Sequence, residues 1–387
     1  MNTILLLSLI RAVICGKELD KSLQSECKNT DVITQIYRVA KKHDIAHIIA
    51  VAINKYKLSD NEELLKALQK DIIMAVFRYE RINQELSRII TVFEKNGIPF
   101  IPLKGSVIRK YYPEPWMRTS CDIDVLIHHK DVDRAIVALC EVGYKQQNTV
   151  TTHDYQLTSP TGIHLELHYT LRQNESILRV DDCLDNVWGN TVLEDGKQFQ
   201  YRMTNEMFLF YHIAHMAKHF VKGGCGIRPL IDLWLLTNKI NINEEYFNIL
   251  LNDSKLTEFY KASLNLCGVW IEDLSHNSCT LRMEEFILTG GVYGTVANSA
   301  IMKSAKGESK FRSFIRIMFL PRDELEVSYP KLKKHPILFP YYQVKRWFRV
   351  FKKEKRNNVK ALTDIRNGVT VDETENAKLL LEELGLV

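Results

Sequence analysis

Two aspartates, Asp122 and Asp124, occupy alternate positions of the otherwise apolar run Cys121-Asp122-Ile123-Asp124-Val125-Leu126-Ile127. Residues two apart in a strand project to the same side, so both carboxylates leave a segment whose remaining residues favour burial. Carboxylates held that close repel each other unless a cation or a proton lies between them, and a divalent metal is the economical solution. Upstream, Leu103-Lys104-Gly105-Ser106 sets a Gly-Ser step at the start of a short helix, where backbone N–H groups can meet phosphate. A phosphate cradle with a metal-binding aspartate pair implies nucleotide chemistry. A third acid should come from a neighbouring strand, and His164-Leu165-Glu166-Leu167-His168 supplies one. Its alternation puts His164, Glu166 and His168 on one face and the leucines on the other. A three-carboxylate set of hard oxygen ligands suits Mg²⁺ or Mn²⁺ bridging substrate phosphates. Two such ions can activate an attacking hydroxyl and stabilise a leaving pyrophosphate.

The elements that must position these residues follow from periodicity. Apolar spacing of the helical kind runs over 31–42 and 60–94, with Asn96-Gly97 as the stop. Ile98 to Leu103 is short and extended, because its two prolines do not fit a helix interior. A short helix covers 105–112, a strand 122–127 and a helix 131–141. Segments 155–159 and 163–169 flank Pro160-Thr161-Gly162, which predicts a hairpin around a type I turn. Helical spacing returns over 205–222, 227–238, 243–251 and 255–267, then weakly near 286–288, and again over 336–351 and 373–384. The predicted fold class is α+β. It comprises an N-terminal helical region, 1–95, packing on the core; a small mixed-sheet α/β unit, 96–200; and a C-terminal helical domain, 201–387.

Composition narrows the function classes. The chain has 387 residues and a formal net charge of +5, which permits anionic ligands without demanding nucleic acid. Eight cysteines with no two or three residues apart exclude a zinc knuckle or a redox pair, and they read as reduced thiols of a cytoplasmic protein. Ile4 to Ile10 is apolar but lacks a basic leader and is interrupted by Arg11, so it is expected to be a packed helix. No segment approaches the length of a membrane span. Nucleophile-elbow, dinucleotide-fingerprint and P-loop patterns are missing.

Taken together, Leu103-Lys104-Gly105, Tyr112-Pro113, Arg118, Asp122-Ile123-Asp124 and Glu166-Leu167-His168 resemble the uncharacterised bacterial nucleotidyltransferases of the DNA polymerase beta-like superfamily. The stretches His215-Met216-Ala217-Lys218-His219-Phe220, Gly226-Ile227-Arg228-Pro229-Leu230-Ile231-Asp232, Phe319-Leu320-Pro321 and Tyr329-Pro330 are similar to the helical region of that family. The resemblance spans about 5 to 350. It departs from the superfamily in the insertion of Tyr111 to Ser120 between Gly105 and Asp122. The resemblance implies transfer of a nucleoside monophosphate from an NTP to an acceptor hydroxyl of unidentified nature. Asp122 and Asp124 would hold Mg²⁺ or Mn²⁺, Glu166 would be the third acid, and Gly105-Ser106 would meet the triphosphate. Lys104 and Arg118 are added as cations for the phosphates.

Further candidates surround this set. His212, His215 and His219 share one helix face and suit packing or a polar cleft. His168, Lys218, His219 and Arg228 would contact substrate if their helices face the α/β unit, although Arg228 and Asp232, four apart, could instead pair. Val344, Trp347, Phe348 and Phe351 form an apolar stripe among Lys345, Arg346, Arg349, Lys352, Lys353, Lys355 and Arg356. It is read as a docked helix with a solvated face, peripheral membrane contact by 344–356 being the disfavoured alternative. Two competing functions stay open: a catalytically inactive nucleotide-binding or regulatory module, and a basic-helix protein that binds nucleic acid or a membrane surface.

Overall fold

The computed structural model of the chain describes residues 3–150, 153–172, 179–291, 294–307, 319–322, 325–326, 329, 331–350 and 368–387. Five helices precede the sheet: α1 (Thr3–Ile14), α2 (Lys21–Cys27), α3 (Thr30–Lys42), α4 (Ala46–Tyr56) and α5 (Glu62–Lys95). The two long amphipathic ones, α3 and α5, lie where their spacing predicts. Helix α4 has no sequence signature because Ile48, Ile49, Ala50, Ala52 and Ile53 are all buried, so it has no polar face to generate a period. Asn61 caps α5 by accepting the Leu64 N–H at 3.0 Å.

The central unit runs β1 (Phe100–Pro102), α6 (Gly105–Ile108), β2 (Asp122–Ile127), α7 (Val132–Glu141), β3 (Lys145–Val150), β4 (Asp154–Thr158) and β5 (His164–His168). Its five strands are ordered β1-β2-β5-β4-β3. Strands β2 and β5 are parallel, and the other pairs are antiparallel. The expected hairpin joins β4 to β5. The Gly162 N–H donates to the Ser159 carbonyl at 2.9 Å, and Gly162 takes a φ of +84°, which glycine adopts without strain. Strand β3 escapes periodicity analysis because its sequence, Lys-Gln-Gln-Asn-Thr-Val, belongs to a polar sheet edge.

Alternation along β2 divides the sheet. Ile123, Val125 and Ile127 join Leu157, Leu165 and Leu167 in a core against α5 and α7. Leu126, on the other face, belongs to a second core shared with the helical remainder. That remainder comprises α8 (Val180–Leu184), a ribbon of β6 (Thr191–Leu193) and β7 (Tyr201–Met203), α9 (Asn205–Lys222), α10 (Arg228–Lys239), α11 (Glu244–Ser254), α12 (Thr257–Glu272), α13 (Ser278–Gly290), α14 (Val296–Ala305), α15 (Lys331–Lys334), α16 (Phe339–Val350) and α17 (Val371–Glu383). Helices α1 and α4 contribute to this second core with α9, α10 and α12. Arg11 of α1 pairs with Asp273 and donates to the carbonyls of Val269 and Trp270. The Glu94 carboxylate, at the end of α5, accepts the backbone N–H groups of Gln198, Phe199 and Gln200 at 2.8–3.0 Å.

Helix α16 corrects one expectation. The stripe Val344-Trp347-Phe348 is not a single docked face. Tyr342 and Gln343 are buried, Tyr342 stacks on Tyr329 with centroids 4.7 Å apart, and Trp347 meets Phe319 at 5.3 Å. Val344 and Phe348 are exposed, because the helix packs through its tyrosine side. Phe351 and the basic residues 352–356 lie outside the described residues. Among the described residues no helix is long and apolar enough to cross a membrane.

Candidate active site

Parallel pairing of β2 with β5 sets Asp122 opposite His164, Asp124 opposite Glu166 and Leu126 opposite His168. The side chains of such register partners stand on one face of the sheet, so Asp124 and Glu166 meet across two strands. The Lys104 ammonium donates to Asp124 Oδ1 at 2.6 Å, and His168 Nε2 donates to the same oxygen at 2.9 Å. His168 Nε2 also lies 3.4 Å from Glu166 Oε2. Asp124 is only 5% exposed. Burial pushes its pKa up, but the Lys104 charge and the His168 hydrogen bond outweigh burial and hold the carboxyl well below the usual range. The same contacts raise Lys104 and His168 against the opposite pull of desolvation. For Asp122, burial and the neighbouring Asp124 charge both act upward, and its pKa is raised.

One donor atom from each of Asp124, Glu166 and His168 lies within 4.8 Å of the others. The position beside Asp124 Oδ1 already accommodates a positive charge, the Lys104 ammonium. The two carboxylates therefore fit a divalent cation, with His168 holding Asp124 by its Nε2–H. Of the three expected acids, Asp124 and Glu166 fall in this group together with His168, and Asp122 lines the same cavity.

The turn that delivers Lys104 is strained. Lys104 has φ +44° and ψ −121°, a conformation costing a residue with a Cβ about 1–3 kcal/mol. Gly105 follows because space is short: a Cβ there would lie 3.3 Å from Ser120 Cβ and 3.5 Å from Arg118 Nη1. The expected Gly-Ser phosphate cradle is altered at Ser106. Its N–H is spent on the Leu103 carbonyl at 3.2 Å, and Ser106 lines a separate cavity with Leu86, Tyr201 and Phe208.

The acids open into a cavity of 480 Å³. It brings together Lys104, Gly105, Arg118, Asp122, Asp124, Glu166, His168, Lys218, His219 and Arg228 from distant parts of the chain, and leaves out Ser106. Helix α9 closes it with Tyr211, His215, Lys218, His219 and Lys222, all on one helical face. Six Lys and Arg residues against four Asp and Glu line the wall, a balance that favours a polyanion. Lys104 pairs with Asp124, Arg172 with Asp185, Arg118 with Asp232 and Arg228 with Asp44. Arg118 Nε donates to both oxygens of the fully buried Asp232 at 2.8 and 2.9 Å, and the Tyr112 hydroxyl donates to Oδ1 at 2.6 Å. This ties the inserted segment 111–120 to α10. Arg228 Nη1 donates to Asp44 Oδ2 at 2.9 Å and to Thr119, so Arg228 and Asp232 do not pair with each other.

The three helix histidines divide. His212 bonds the Pro229 carbonyl at 2.9 Å, whereas His215 and His219 share a 3.0 Å contact at the cavity wall. Desolvation lowers all three, His219 to about 4. Asp44, His153 and Tyr211 were not legible in advance. Asp44 comes from the turn before α4, far along the chain. For Tyr211 a signal existed, its position four residues before His215 on the α9 face.

Comparison with known proteins agrees with this architecture. The family described as "Uncharacterised nucleotidyltransferase" matches residues 30–272, a span containing every residue of the cavity wall. No curated protein and no solved structure matches the chain.

Proposed function

The chain belongs to this nucleotidyltransferase family, and from that premise we propose that it is a metal-dependent enzyme moving a nucleoside monophosphate from an NTP to an acceptor hydroxyl. The observation that carries the reading is the pairing of Asp124 with Glu166 across parallel strands, at the floor of a cavity rich in cations. Asp124 and Glu166, with Asp122 beside them, would hold Mg²⁺ or Mn²⁺, and His168 would orient Asp124 through its Nε2–H. The ion supplies charge neutralisation on the phosphates and a more acidic acceptor hydroxyl. Lys218 and Lys222 line the wall as phosphate-facing cations, Arg172 is held by Asp185, and Lys104 would pass from Asp124 to a phosphate oxygen. Arg118 and Arg228 act as positioning residues, because their charge is committed to Asp232 and Asp44. The acceptor oxygen attacks the α-phosphorus, the bond to the β-phosphate bridging oxygen breaks, and pyrophosphate leaves. Glu166 accepts the acceptor's proton. Catalysis of this kind is mostly positioning and charge neutralisation.

One observation favours a second reading, a nucleotide-binding module without turnover: Asp124 Oδ1 already accepts hydrogen bonds from Lys104 and His168. Two measurements decide. The first is thermal unfolding with each NTP, with and without Mg²⁺; a ligand at 100 times its dissociation constant adds about 2.7 kcal/mol. The second is pyrophosphate release. Transfer predicts a Mg²⁺-dependent shift and pyrophosphate release, both lost in Asp124→Asn. A shift without pyrophosphate across acceptor classes selects the binding module. No shift with any NTP overturns both.

A further inference from the structure

The acid face of the sheet carries a second group of donor atoms one step further along the strands. His168 stands opposite Leu126 on β2 and opposite Asp154 on β4, and His153 immediately precedes β4. His153 Nε2 is 3.5 Å from Asp154 Oδ2. The His153 and His168 rings lie nearly parallel, 19° apart with centroids at 5.9 Å. One donor atom from each of His153, Asp154 and His168 falls within 4.8 Å of the others. Asp154 and His168 are buried, and both histidines line the 480 Å³ cavity.

This donor set differs in kind from the neighbouring acids. Carboxylate and water oxygens suit Mg²⁺, whereas imidazole nitrogen suits first-row transition ions, whose affinity for nitrogen and oxygen sites rises from Mn²⁺ through Co²⁺ to a maximum at Cu²⁺, with Zn²⁺ below that maximum. Three protein donors with one side open to a cavity also match the pattern of a site that keeps a position for a solvent or substrate oxygen. We propose that His153, Asp154 and His168 bind a divalent transition-metal ion, of the Co²⁺ or Zn²⁺ type, beside the Asp124–Glu166 pair. The proposal deepens the nucleotidyltransferase reading and rests on it for the ion's role: placed on the cavity wall, the ion adds positive charge facing a phosphate chain. The binding site itself rests only on the three donors.

The test uses the full chain stripped of metal, with Co²⁺ alone as the probe, followed by its visible absorption and by calorimetry. Wild type is expected to take up Co²⁺ at a site whose absorption reports nitrogen ligation, and millimolar Mg²⁺ should not displace it. His153→Ala and His153→Gln should weaken Co²⁺ by at least about tenfold while melting like wild type without metal. His153 is the half-buried member of the set, so these variants are the least disruptive to folding. Unchanged Co²⁺ affinity in both His153 variants, or displacement by millimolar Mg²⁺, overturns the proposal. Failure here is distinguishable from failure of the function proposed above. If Co²⁺ binds as expected and no NTP shifts the wild-type melting curve, the metal site stands and the transferase reading falls. If Mg²⁺–NTP stabilises both the wild type and His153→Ala and Co²⁺ ignores the substitution, the reverse holds.

Discussion

Asp232→Asn is the most informative single substitution in the cavity wall. It preserves shape and removes one charge. Asp232 is completely buried, Arg118 has a side chain only 10% exposed, and the pair is closed by Arg118 Nε contacts at 2.8 and 2.9 Å with the Tyr112 hydroxyl at 2.6 Å. Without the carboxylate, the guanidinium is left buried and uncompensated, at a cost of about 3–5 kcal/mol. An unfolding entropy of about 2.1 cal/mol/K per residue, over a chain of this length unfolding as one unit, converts that cost to a fall in Tm of about 4–6 °C. Burial pushes the Asp232 pKa up, but Arg118 prevails and the folded-state value is lowered. Its contribution is therefore complete above the unfolded-state pKa and is lost only as pH falls below it. Calorimetry at pH 7.5 thus reads the full effect. Arg118→Met with Asp232→Leu removes both charges and should return most of the loss, because apolar replacement of a buried pair is close to neutral. A Tm for Asp232→Asn within about 1 °C of wild type would refute the reasoning. Arg118 would then have to place its charge in the cavity water and would again be a phosphate ligand.

Three further outcomes are expected. Asp124→Asn should cut transfer by at least about 100-fold, since several kcal/mol of charge stabilisation depend on that carboxylate; single-turnover release of pyrophosphate checks it. His43 is fully buried, and desolvation lowers its pKa to about 4. The unfolded chain binds the extra proton below pH 6.5, so this group alone should lose about 2 kcal/mol of stability between pH 7.5 and pH 5. Denaturant titrations of wild type and His43→Gln at the two pH values should show a smaller drop in the variant. Gly105→Ala should crowd Ser120 Cβ at 3.3 Å and shift the Lys104 turn, reducing NTP stabilisation while costing about 1 kcal/mol or less of fold stability. Parallel melting with and without Mg²⁺–NTP separates these effects.

Much of the fold and of the floor of the site can be read from local pattern. Alternation in Asp122–Ile127 defines a strand with its two acids on one side, and the Pro160-Thr161-Gly162 turn defines the hairpin that returns β5. Period 3.6 locates α3, α5 and α9 to within a few residues. These features are set by steric rules acting over one or two turns of chain, so a single sequence carries them. What local pattern cannot carry is the identity of partners through space. The pairing of β5 with β2, which puts Glu166 opposite Asp124, depends on which strand completes the sheet. The same register brings His168 to the Asp124 carboxylate. Among the cations, the chain alone does not distinguish Lys218 from Arg118. Arg118 is buried against Asp232 and Arg228 is paired with Asp44, pairings between residues more than 100 positions apart. Helix α4 was silent for the complementary reason: a segment surrounded by core shows no contrast between its faces. The chemical groups and the elements that present them are local properties of the chain. Which charges pair with which is not, because burial and distance set the energy of a charge, and both belong to the assembled chain.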